Sequence, residues 1–337
     1  MKKTLFTLVL LSAVSACTAA STLYPIVVAG RWGYANKSGE TVINPQFDRA
    51  GTFAEGLAPA KMGKWGYVDA AGKVVINPQF DQADVFCEGL AVVRLGGGGP
   101  GPFDDPRPWM PWHGGGGGRY GYINADGKYI INAQFDDAGK FSGGLAAVKM
   151  GKWGFIDKSG KMVVNPQFDE AGAFSDGLAA IKSGKNFGYT DTSGKLAINP
   201  QFERAQAFSD GLAAVRSGGK WGFVDKTGKL AVNPQFDEVG NFVKGLAPAR
   251  QGKWGFIDST GKFVINPQFE KAADFSGGLA PVRQSGHWGY VDPSGKLAIN
   301  PQFDEAEAFA NSLARVKVDG QFGYVNASGK FVYNPTK

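Results

Sequence analysis

Histidine and cysteine, the side chains most often used for catalysis and metal binding, are rare in this sequence. Its 337 residues include two histidines, His113 and His287, and two cysteines, Cys17 and Cys87. A histidine-based triad or a multi-histidine metal site needs several such groups in one place. His287 stands where other parts of the chain have lysine, which predicts a solvated turn residue. The composition therefore predicts no metal site and no cofactor.

The charged residues recur at fixed positions instead of converging. One acidic position exchanges aspartate with asparagine, which an Asx turn tolerates and a metal site does not: Asp69, Asp157, Asp225, Asp258 and Asp292 against Asn36, Asn124 and Asn326. A lysine follows the next glycine: Lys73, Lys128, Lys161, Lys195, Lys229, Lys262, Lys296 and Lys330. A second acidic series comprises Asp48, Asp81, Asp136, Asp169, Glu203, Asp237, Glu270 and Asp304. We expect solvated, mutually compensating charge, with a basic stripe for an anionic polymer as the alternative.

One segment differs from the rest of the chain. Gly96–Gly118 reads GGGGPGPFDDPRPWMPWHGGGGG. Its large apolar residues, Phe103, Trp109, Met110 and Trp112, lie in a stretch too rich in glycine and proline to form its own core. They are our candidate binding residues, because exposed aromatic side chains on loops are common in recognition and tryptophan is favoured at binding hot spots. A weakly docked or disordered insertion is the other interpretation.

The N-terminus is typical of a secreted bacterial protein. Lys2 and Lys3 precede an apolar stretch, Leu5–Val14, that fits a signal peptide and is shorter than the ~20 residues needed to span a bilayer. Val14-Ser15-Ala16-Cys17 resembles the lipobox of bacterial lipoproteins. The resemblance implies that residues 1–16 are removed and that Cys17 is lipidated. The alternative is an ordinary signal peptide cut near Ala16 or Ala20.

The lipobox resemblance carries two further expectations. Thr18, rather than an aspartate, follows the cysteine, which favours the outer membrane if the host is Gram-negative. Residues 17–23 are then a lipidated cysteine and a short tether. If Cys17 carries lipid, Cys87 has no second cysteine for an intramolecular disulfide. The net charge of +6 comes without a run of Lys or Arg, so we expect no nucleic-acid partner.

The sequence repeats itself at intervals of 33 or 34 residues. An aromatic residue followed by glycine begins each unit; one interval of 55 contains the insertion. A period of this size indicates a solenoid, propeller or similar repeat array. The unit starts are Trp32, Trp65, Tyr120, Trp153, Phe187, Trp221, Trp254, Trp288 and Phe322.

Each unit predicts three short strands. In the unit Lys152–Gly184, aromatic and β-branched runs lie at 153–157, 162–164 and 178–181, separated by glycine-containing turns. Pro166 lacks an N–H group, so we expect strand pairing to stop at Asn165-Pro166. One helical turn near Phe174 is compatible with the spacing.

The recurring marks W-G-[FY]-[IV]-[DN], N-P-Q-F-[DE] and F-x-x-G-L-A identify residues 24–335 as similar to the WG (KWG) repeat family of bacterial proteins. The resemblance implies a single all-β repeat array, not a reaction. Because one unit is too small to fold alone, neighbouring units must cover one another. The tryptophans are then the structural core: Trp32, Trp65, Trp153, Trp221, Trp254 and Trp288.

The arrangement of the units has two candidate solutions. Tyr24–Val28 aligns with the third strand of a unit and the chain finishes on the first two, so the ends could complete a ninth unit. We favour an open or nearly closed β superhelix of three-stranded repeats over a closed propeller-like ring, because propeller blades usually have four strands and ~40 residues.

For function, we expect a non-catalytic, lipid-anchored envelope protein whose scaffold binds a protein or polymer. Its partners would be the membrane, through the lipid, and an unknown envelope protein or polysaccharide. One alternative is a carbohydrate- or peptidoglycan-binding module that uses the aromatic residues of the insertion. A hydrolase is the second alternative, which would need a cleft where unlike polar residues converge.

Overall fold

The protein is a closed ring of nine β-sheets, each packed face to face on the next like the blades of a propeller. The computed structural model describes residues 23–97 and 117–336, and all regular secondary structure in these ranges is β-strand. The all-β prediction is confirmed. The closed ring, the alternative to the favoured open superhelix, is the arrangement found.

Eight blades have four antiparallel strands, and blade 1 has three among the described residues. The strands of blades 1–3 are β1 Leu23–Val28, β2 Arg31–Asn36, β3 Thr41–Phe47; β4 Arg49–Ala50, β5 Ala58–Met62, β6 Lys64–Val68, β7 Val74–Phe80; β8 Gln82–Ala83, β9 Ala91–Leu95, β10 Arg119–Ile123, β11 Tyr129–Phe135. Those of blades 4–6 are β12 Asp137–Ala138, β13 Leu145–Met150, β14 Lys152–Asp157, β15 Met162–Phe168; β16 Glu170–Ser175, β17 Leu178–Ser183, β18 Asn186–Asp191, β19 Leu196–Phe202; β20 Arg204–Ser209, β21 Leu212–Ser217, β22 Lys220–Asp225, β23 Leu230–Phe236. Those of blades 7–9 are β24 Glu238–Val239, β25 Ala247–Gln251, β26 Lys253–Ile257, β27 Phe263–Phe269; β28 Lys271–Ala272, β29 Ala280–Gln284, β30 His287–Val291, β31 Leu297–Phe303; β32 Glu305–Ala306, β33 Leu313–Val318, β34 Gln321–Asn326, β35 Phe331–Thr336.

The first strand of each four-stranded blade is short and was not predicted from the sequence. In six blades it is two residues long, and in blades 5 and 6 it extends over six, as in Glu170–Ser175. The helical turn considered near Phe174 is wrong: Phe174 lies within this strand and pairs with Ala179. Buried and exposed residues alternate only weakly in this segment, so the hydrophobic periodicity of the sequence does not indicate a strand.

The fourth strand continues through its proline, so the predicted stop at Asn165-Pro166 is wrong. β15 runs to Phe168, which pairs with Trp153 after a register shift from the Val164–Phe155 pair. A proline is tolerated here because the strand lies at the edge of its sheet, where a missing N–H costs no ladder bond. The extra residues of the bulge move Asn165-Pro166 over the neighbouring glycine.

This bulge explains why glycine follows the aromatic residue in every unit. A Cβ atom on Gly289 would lie 2.5 Å from the carbonyl oxygen of Ile299 and 2.7 Å from the nitrogen of Pro301. Backbone cannot move aside as a flexible side chain can, so only glycine fits. The glycine of the W-G motif is therefore required by the close approach of two strands within one blade.

The core lies between blades. Phe155 of blade 4 packs on Phe174 of blade 5, with ring centroids 4.8 Å apart, and the same pair recurs around the ring, as in Tyr189–Phe208 and Phe223–Phe242. Where the position holds tyrosine, its hydroxyl also donates to a backbone carbonyl of the next blade. Tyr189 Oη donates to Gln206 O at 2.8 Å. Each blade thus covers the face of its neighbour.

Blades 1 and 9 close the ring through the same contacts. Tyr324 Oη donates to the carbonyl of Pro25 at 2.7 Å, and Tyr24 Oη donates to the carbonyl of Asn311. The rings of Tyr24 and Tyr324 are 5.4 Å apart and share a buried cluster with Ile26. The two chain ends meet by packing, rather than by sharing strands of one sheet as the sequence suggested, because blade 9 has all four of its own strands.

Candidate binding surfaces of the ring

The antiparallel order of the strands gives the ring two faces with different turns. Turns between first and second strands and between third and fourth strands lie at one end of every blade. Turns between second and third strands, and the connections to the next blade, lie at the other end. We call the first the lysine face, after Lys73 and its equivalents, and the second the insertion face, because the insertion lies between β9 and β10.

On the lysine face, an aspartate or asparagine organises each turn between third and fourth strands. Asp157 Oδ1 accepts hydrogen bonds from the Ser159 N–H at 2.9 Å and hydroxyl at 2.6 Å, and from the Lys161 N–H at 3.1 Å. The Ser159 hydroxyl bond contributes most to lowering the pKa of Asp157. Asn326 forms the same bonds with Ser328 and Lys330. These contacts match the Asx turn predicted from the aspartate–asparagine exchange.

The eight lysines of these turns are exposed. Within the described ranges, none of them has a carboxylate at salt-bridge distance, and in blade 1 the position holds Glu40. Their carboxylate neighbours are directed into the turn backbone instead.

Carboxylates of the inner turns on the same face link neighbouring blades. Glu55 Oε2 accepts the Gly89 N–H at 2.9 Å, and Asp176 Oδ2 accepts the Gly211 N–H at 2.9 Å. Next to these turns, Ser142 and Ser175 each donate a hydroxyl hydrogen bond of 2.6 Å to a phenylalanine carbonyl of the next blade. Cys87 occupies the same position, with its Sγ atom 3.0 Å from the carbonyl oxygen of Phe141.

On the insertion face, the second acidic series joins blades. Asp169 forms an ion pair with Lys152 of blade 4 and accepts the Gly184 N–H of blade 5 at 2.7 Å. The hydrogen bond from Lys152 and the Gly184 N–H hold the pKa of Asp169 below its usual value. Compensation of charge was expected, but five of these carboxylates pair with the residue before the aromatic-glycine motif, and Glu203 and Glu270 pair with Arg216 and Arg283. The lysine series is not their partner.

The insertion leaves the ring from an ordinary turn. Leu95 pairs with Arg119, and the Gly96 N–H donates to Asp81 Oδ2 at 2.7 Å, as Gly63 does to Asp48 at 2.8 Å. The candidate binding residues Phe103, Trp109, Met110 and Trp112, and the candidate lipidation site Cys17, lie outside the described residues.

Beside the base of the insertion lies a buried polar cluster. Arg94 is 2% exposed, whereas the equivalent Arg216 and Arg250 are half-buried. Tyr120 Oη donates to Gln82 Oε1 at 3.0 Å, and burial followed by the negative charge of Asp137 raises the pKa of Tyr120. The sequence shows this cluster only as a tyrosine in a tryptophan position.

A second buried polar pair joins blades 7 and 8. Asp274, 5% exposed, accepts hydrogen bonds of 2.9 Å from both the backbone N–H and the side-chain amide of Asn241. Burial outweighs these bonds and raises the pKa of Asp274 to about 7. The two residues hold equivalent positions in adjacent blades, which no sequence pattern indicated.

Neither buried pair forms a metal or catalytic cluster. Among the described residues, no group of three or more His, Cys, Asp or Glu side chains could hold a metal ion. His287 is exposed, as predicted, but it is the first residue of β30 and does not lie in the turn; its Nδ1 is 3.3 Å from the Ser285 carbonyl oxygen. A shallow depression of about 400 Å³ lies between blades 5 and 6 and includes Phe202, Lys229 and Pro234. In residues 23–97 and 117–336, no helix is long and apolar enough to cross a membrane.

The six predicted core tryptophans divide into two groups. Trp65, Trp153 and Trp254 are buried, whereas Trp32, Trp221 and Trp288 are half-buried at the edge of inter-blade clusters. The most buried aromatic position is instead two residues later in the unit, occupied by Tyr67, Phe155 and their equivalents. The alternation of Phe and Tyr there is the signal that could have identified it.

Solved structures resemble this fold at low sequence identity. A crystal structure described as the eukaryotic initiation factor superposes with a TM-score of 0.64 at 11% identity, covering 92% of this chain and 95% of that chain. The dihydro-heme d1 dehydrogenase NirN gives a TM-score of 0.47 at 13% identity, over 98% and 78% of the two chains. Hsv2p of Kluyveromyces lactis gives 0.38 at 11%, over 55% and 71%. At 11% identity, the likeness to the initiation factor shows the fold alone.

No curated protein sequence matches this chain. The model of the WG containing repeat matches eight times, over residues 32–64, 65–98, 120–152, 153–186, 187–221, 221–253, 254–286 and 288–321. Each match begins in the third strand of one blade and ends beyond the second strand of the next, so the sequence unit and the blade are half a repeat out of phase. With most of its length matched, the chain belongs to the WG containing repeat family.

Proposed function

We propose that this protein is a non-catalytic, lipid-anchored scaffold of the cell envelope that binds a protein or polymer partner on its ring. The observation that carries the proposal is that equivalent polar side chains recur from blade to blade in structural contacts. Asp157 holds a turn, Asp169 joins blades 4 and 5, and Tyr189 joins blades 5 and 6. The surfaces that remain for a partner are broad repeated rims, a form that suits binding of an extended or large ligand.

The anchor is the most direct part of the proposal to test. Cys87 takes part in a disulfide in the structure, and the chain has one other cysteine in its sequence, Cys17. Lipid on Cys17 and a disulfide to Cys87 exclude each other because both use the thiol sulfur. Mass spectrometry of the mature protein should show an N-terminal Cys17 with diacylglycerol, and Cys17→Ala should move the protein to the soluble fraction. A mature chain joined by Cys17–Cys87 would contradict the anchor.

The partner is to be sought by capture from envelope extract. The wild-type protein and a variant lacking residues 97–118 form the matched pair. If the ring surface binds the partner, both proteins recover it. If only the wild-type protein does, the insertion is the binding site. Recovery of nothing by either protein at physiological salt would count against the scaffold function.

A carbohydrate-binding role for the insertion is the second candidate. It is favoured by the position of the segment, which leaves from a turn that the scaffold closes by itself at Leu95 and Arg119. We expect retention on insoluble cell-wall polymer to be lost in the Trp109→Ala, Trp112→Ala double variant. Unchanged retention would exclude these tryptophans as the site.

A further inference from the structure

We propose that the lysine face of the ring lies on the phospholipid headgroups and that the insertion face is directed away from the bilayer. This inference rests on the lipid anchor of the proposed function and adds to it which surface meets the membrane. Two features of the described residues lead to it: where the chain enters the ring, and the geometry of the rim with its exposed lysines.

The chain enters the ring at the lysine face. Leu23, the first described residue, pairs with Asn36, which begins the turn between β2 and β3 of blade 1, the equivalent of the turn between third and fourth strands in the other blades. Its neighbour Tyr24 donates to the carbonyl of Asn311, which lies in an inner turn of blade 9 on the same face. The tether to Cys17 therefore starts at this face.

The tether is too short to bring the other face to the membrane. Six residues, 17–22, extend about 20 Å at most. The strands of the ring span roughly 17–20 Å from one face to the other. A tether that starts at Leu23 would therefore be fully extended before it reached the insertion face. The insertion base, at Leu95 and Arg119, lies at the far end of these strands.

The lysine rim has a shape that suits a lipid surface. Equivalent turns of a closed ring lie in one plane, and a bilayer can contact all of them together, whereas a linear polymer would have to bend around them. The lysines are exposed, and the aspartate of each turn, such as Asp225, is bonded to backbone N–H groups. The anchor supplies the affinity, and the ammonium groups contact headgroup phosphates.

Four blades provide an internal comparison. Each has a pair of exposed lysines at equivalent positions, the first on the insertion face and the second on the lysine face: Lys64 and Lys73, Lys152 and Lys161, Lys220 and Lys229, Lys253 and Lys262. The lipidated full-length protein, reconstituted in vesicles that contain phosphatidylethanolamine, is treated with a short amine-to-amine cross-linker. Mass spectrometry then identifies the lysines joined to lipid, with each yield divided by the modification of that lysine in detergent.

We expect Lys73, Lys161, Lys229 and Lys262 to couple to lipid several-fold more than their partners on the insertion face. A control variant carries a flexible 30-residue Gly-Ser segment between Ser21 and Thr22, which adds a reach of about 30 Å. It should float with the vesicles and lose the preference. Equal coupling of the two sets in the protein with the native tether, or preference for the insertion face, would overturn the proposal.

The experiment distinguishes a missing lipid anchor from a wrong face assignment. If the N-terminal peptide is unmodified and the protein does not float with vesicles, the lipid anchor is wrong and the face assignment falls with it. If the protein floats and no lysine couples to lipid, the anchor stands and contact of this face with the headgroups is disproved.

Discussion

At the scale of single residues, the ring depends on positions that only one type of residue can occupy. Gly188 is one: a Cβ atom there would lie 2.5 Å from the carbonyl oxygen of Ile198. Gly172, in the same blade, has its nearest neighbour at 3.7 Å, the carbonyl oxygen of Ala180. The sequence alone does not show that a Cβ atom would be crowded at one glycine and free of close contacts at the other; the fold does.

We expect Gly188→Ala to lower the free energy of unfolding by about 1–3 kcal/mol, because the added methyl group must displace backbone. Gly172→Ala, the matched control, should change it by less than about 0.5 kcal/mol. Denaturant unfolding of both variants measures the difference. Equal effects would contradict the close-approach explanation of the W-G motif.

The buried carboxyl of Asp274 predicts a pH-dependent stability. Its pKa is raised to about 7 in the folded protein, so folding favours the protonated form. The contribution of Asp274 to stability should therefore be fully present below about pH 4 and be lost as the pH rises through about 7, by roughly 2–4 kcal/mol for a shift of this size. Asp274→Asn, which remains neutral, should lose this part of the pH dependence in thermal unfolding. A variant with the wild-type profile would show that Asp274 is not the group responsible.

At the scale of the element, each blade is a small antiparallel sheet whose turns are interchangeable in principle. Met62-Gly63-Lys64 and Met150-Gly151-Lys152 join second and third strands with a single glycine between them. Joining Gly96 directly to Arg119 would recreate this connection in blade 3. The insertion is therefore an addition to a turn that other blades form without it.

Deletion of residues 97–118 should leave the ring folded and its free energy of unfolding unchanged, or higher by about 1–2 kcal/mol because a long loop is removed. Circular dichroism and denaturant unfolding test this. A variant that loses several kcal/mol would show that the insertion contributes to the packing of blade 3, for example around Arg94.

At the scale of the whole molecule, stability depends on joining the first and last blades. Tyr24 makes the closing contacts, with its ring against Tyr324 and its hydroxyl on the Asn311 carbonyl. Tyr24→Ala should cost about 3 kcal/mol and increase hydrogen exchange in β1 and β34. Tyr24→Phe, which keeps the ring contact, should cost only about 1 kcal/mol. If Tyr24→Ala leaves exchange in both strands unchanged, closure does not depend on this contact.

The sequence predicted the local pattern of this protein well. Features that depend on residues close together in the sequence were predicted correctly: the strand composition, the turn role of aspartates such as Asp157, the solvated position of His287 and the repeat period. It failed where the partner of a residue is in another strand or blade. The fourth strand passes its proline because a bulge fits over a glycine, and β16 is held by pairing with β17.

What the sequence determined by itself is the unit: its length, its all-β character and the family to which it belongs. The tertiary structure alone decided the number of strands per blade, the closure of the ring and the two faces. The physical reason is that the repeat fixes contacts between adjacent units, whereas closure depends on the small rotation between blades summed nine times. Only that sum brings Pro25 to the hydroxyl of Tyr324.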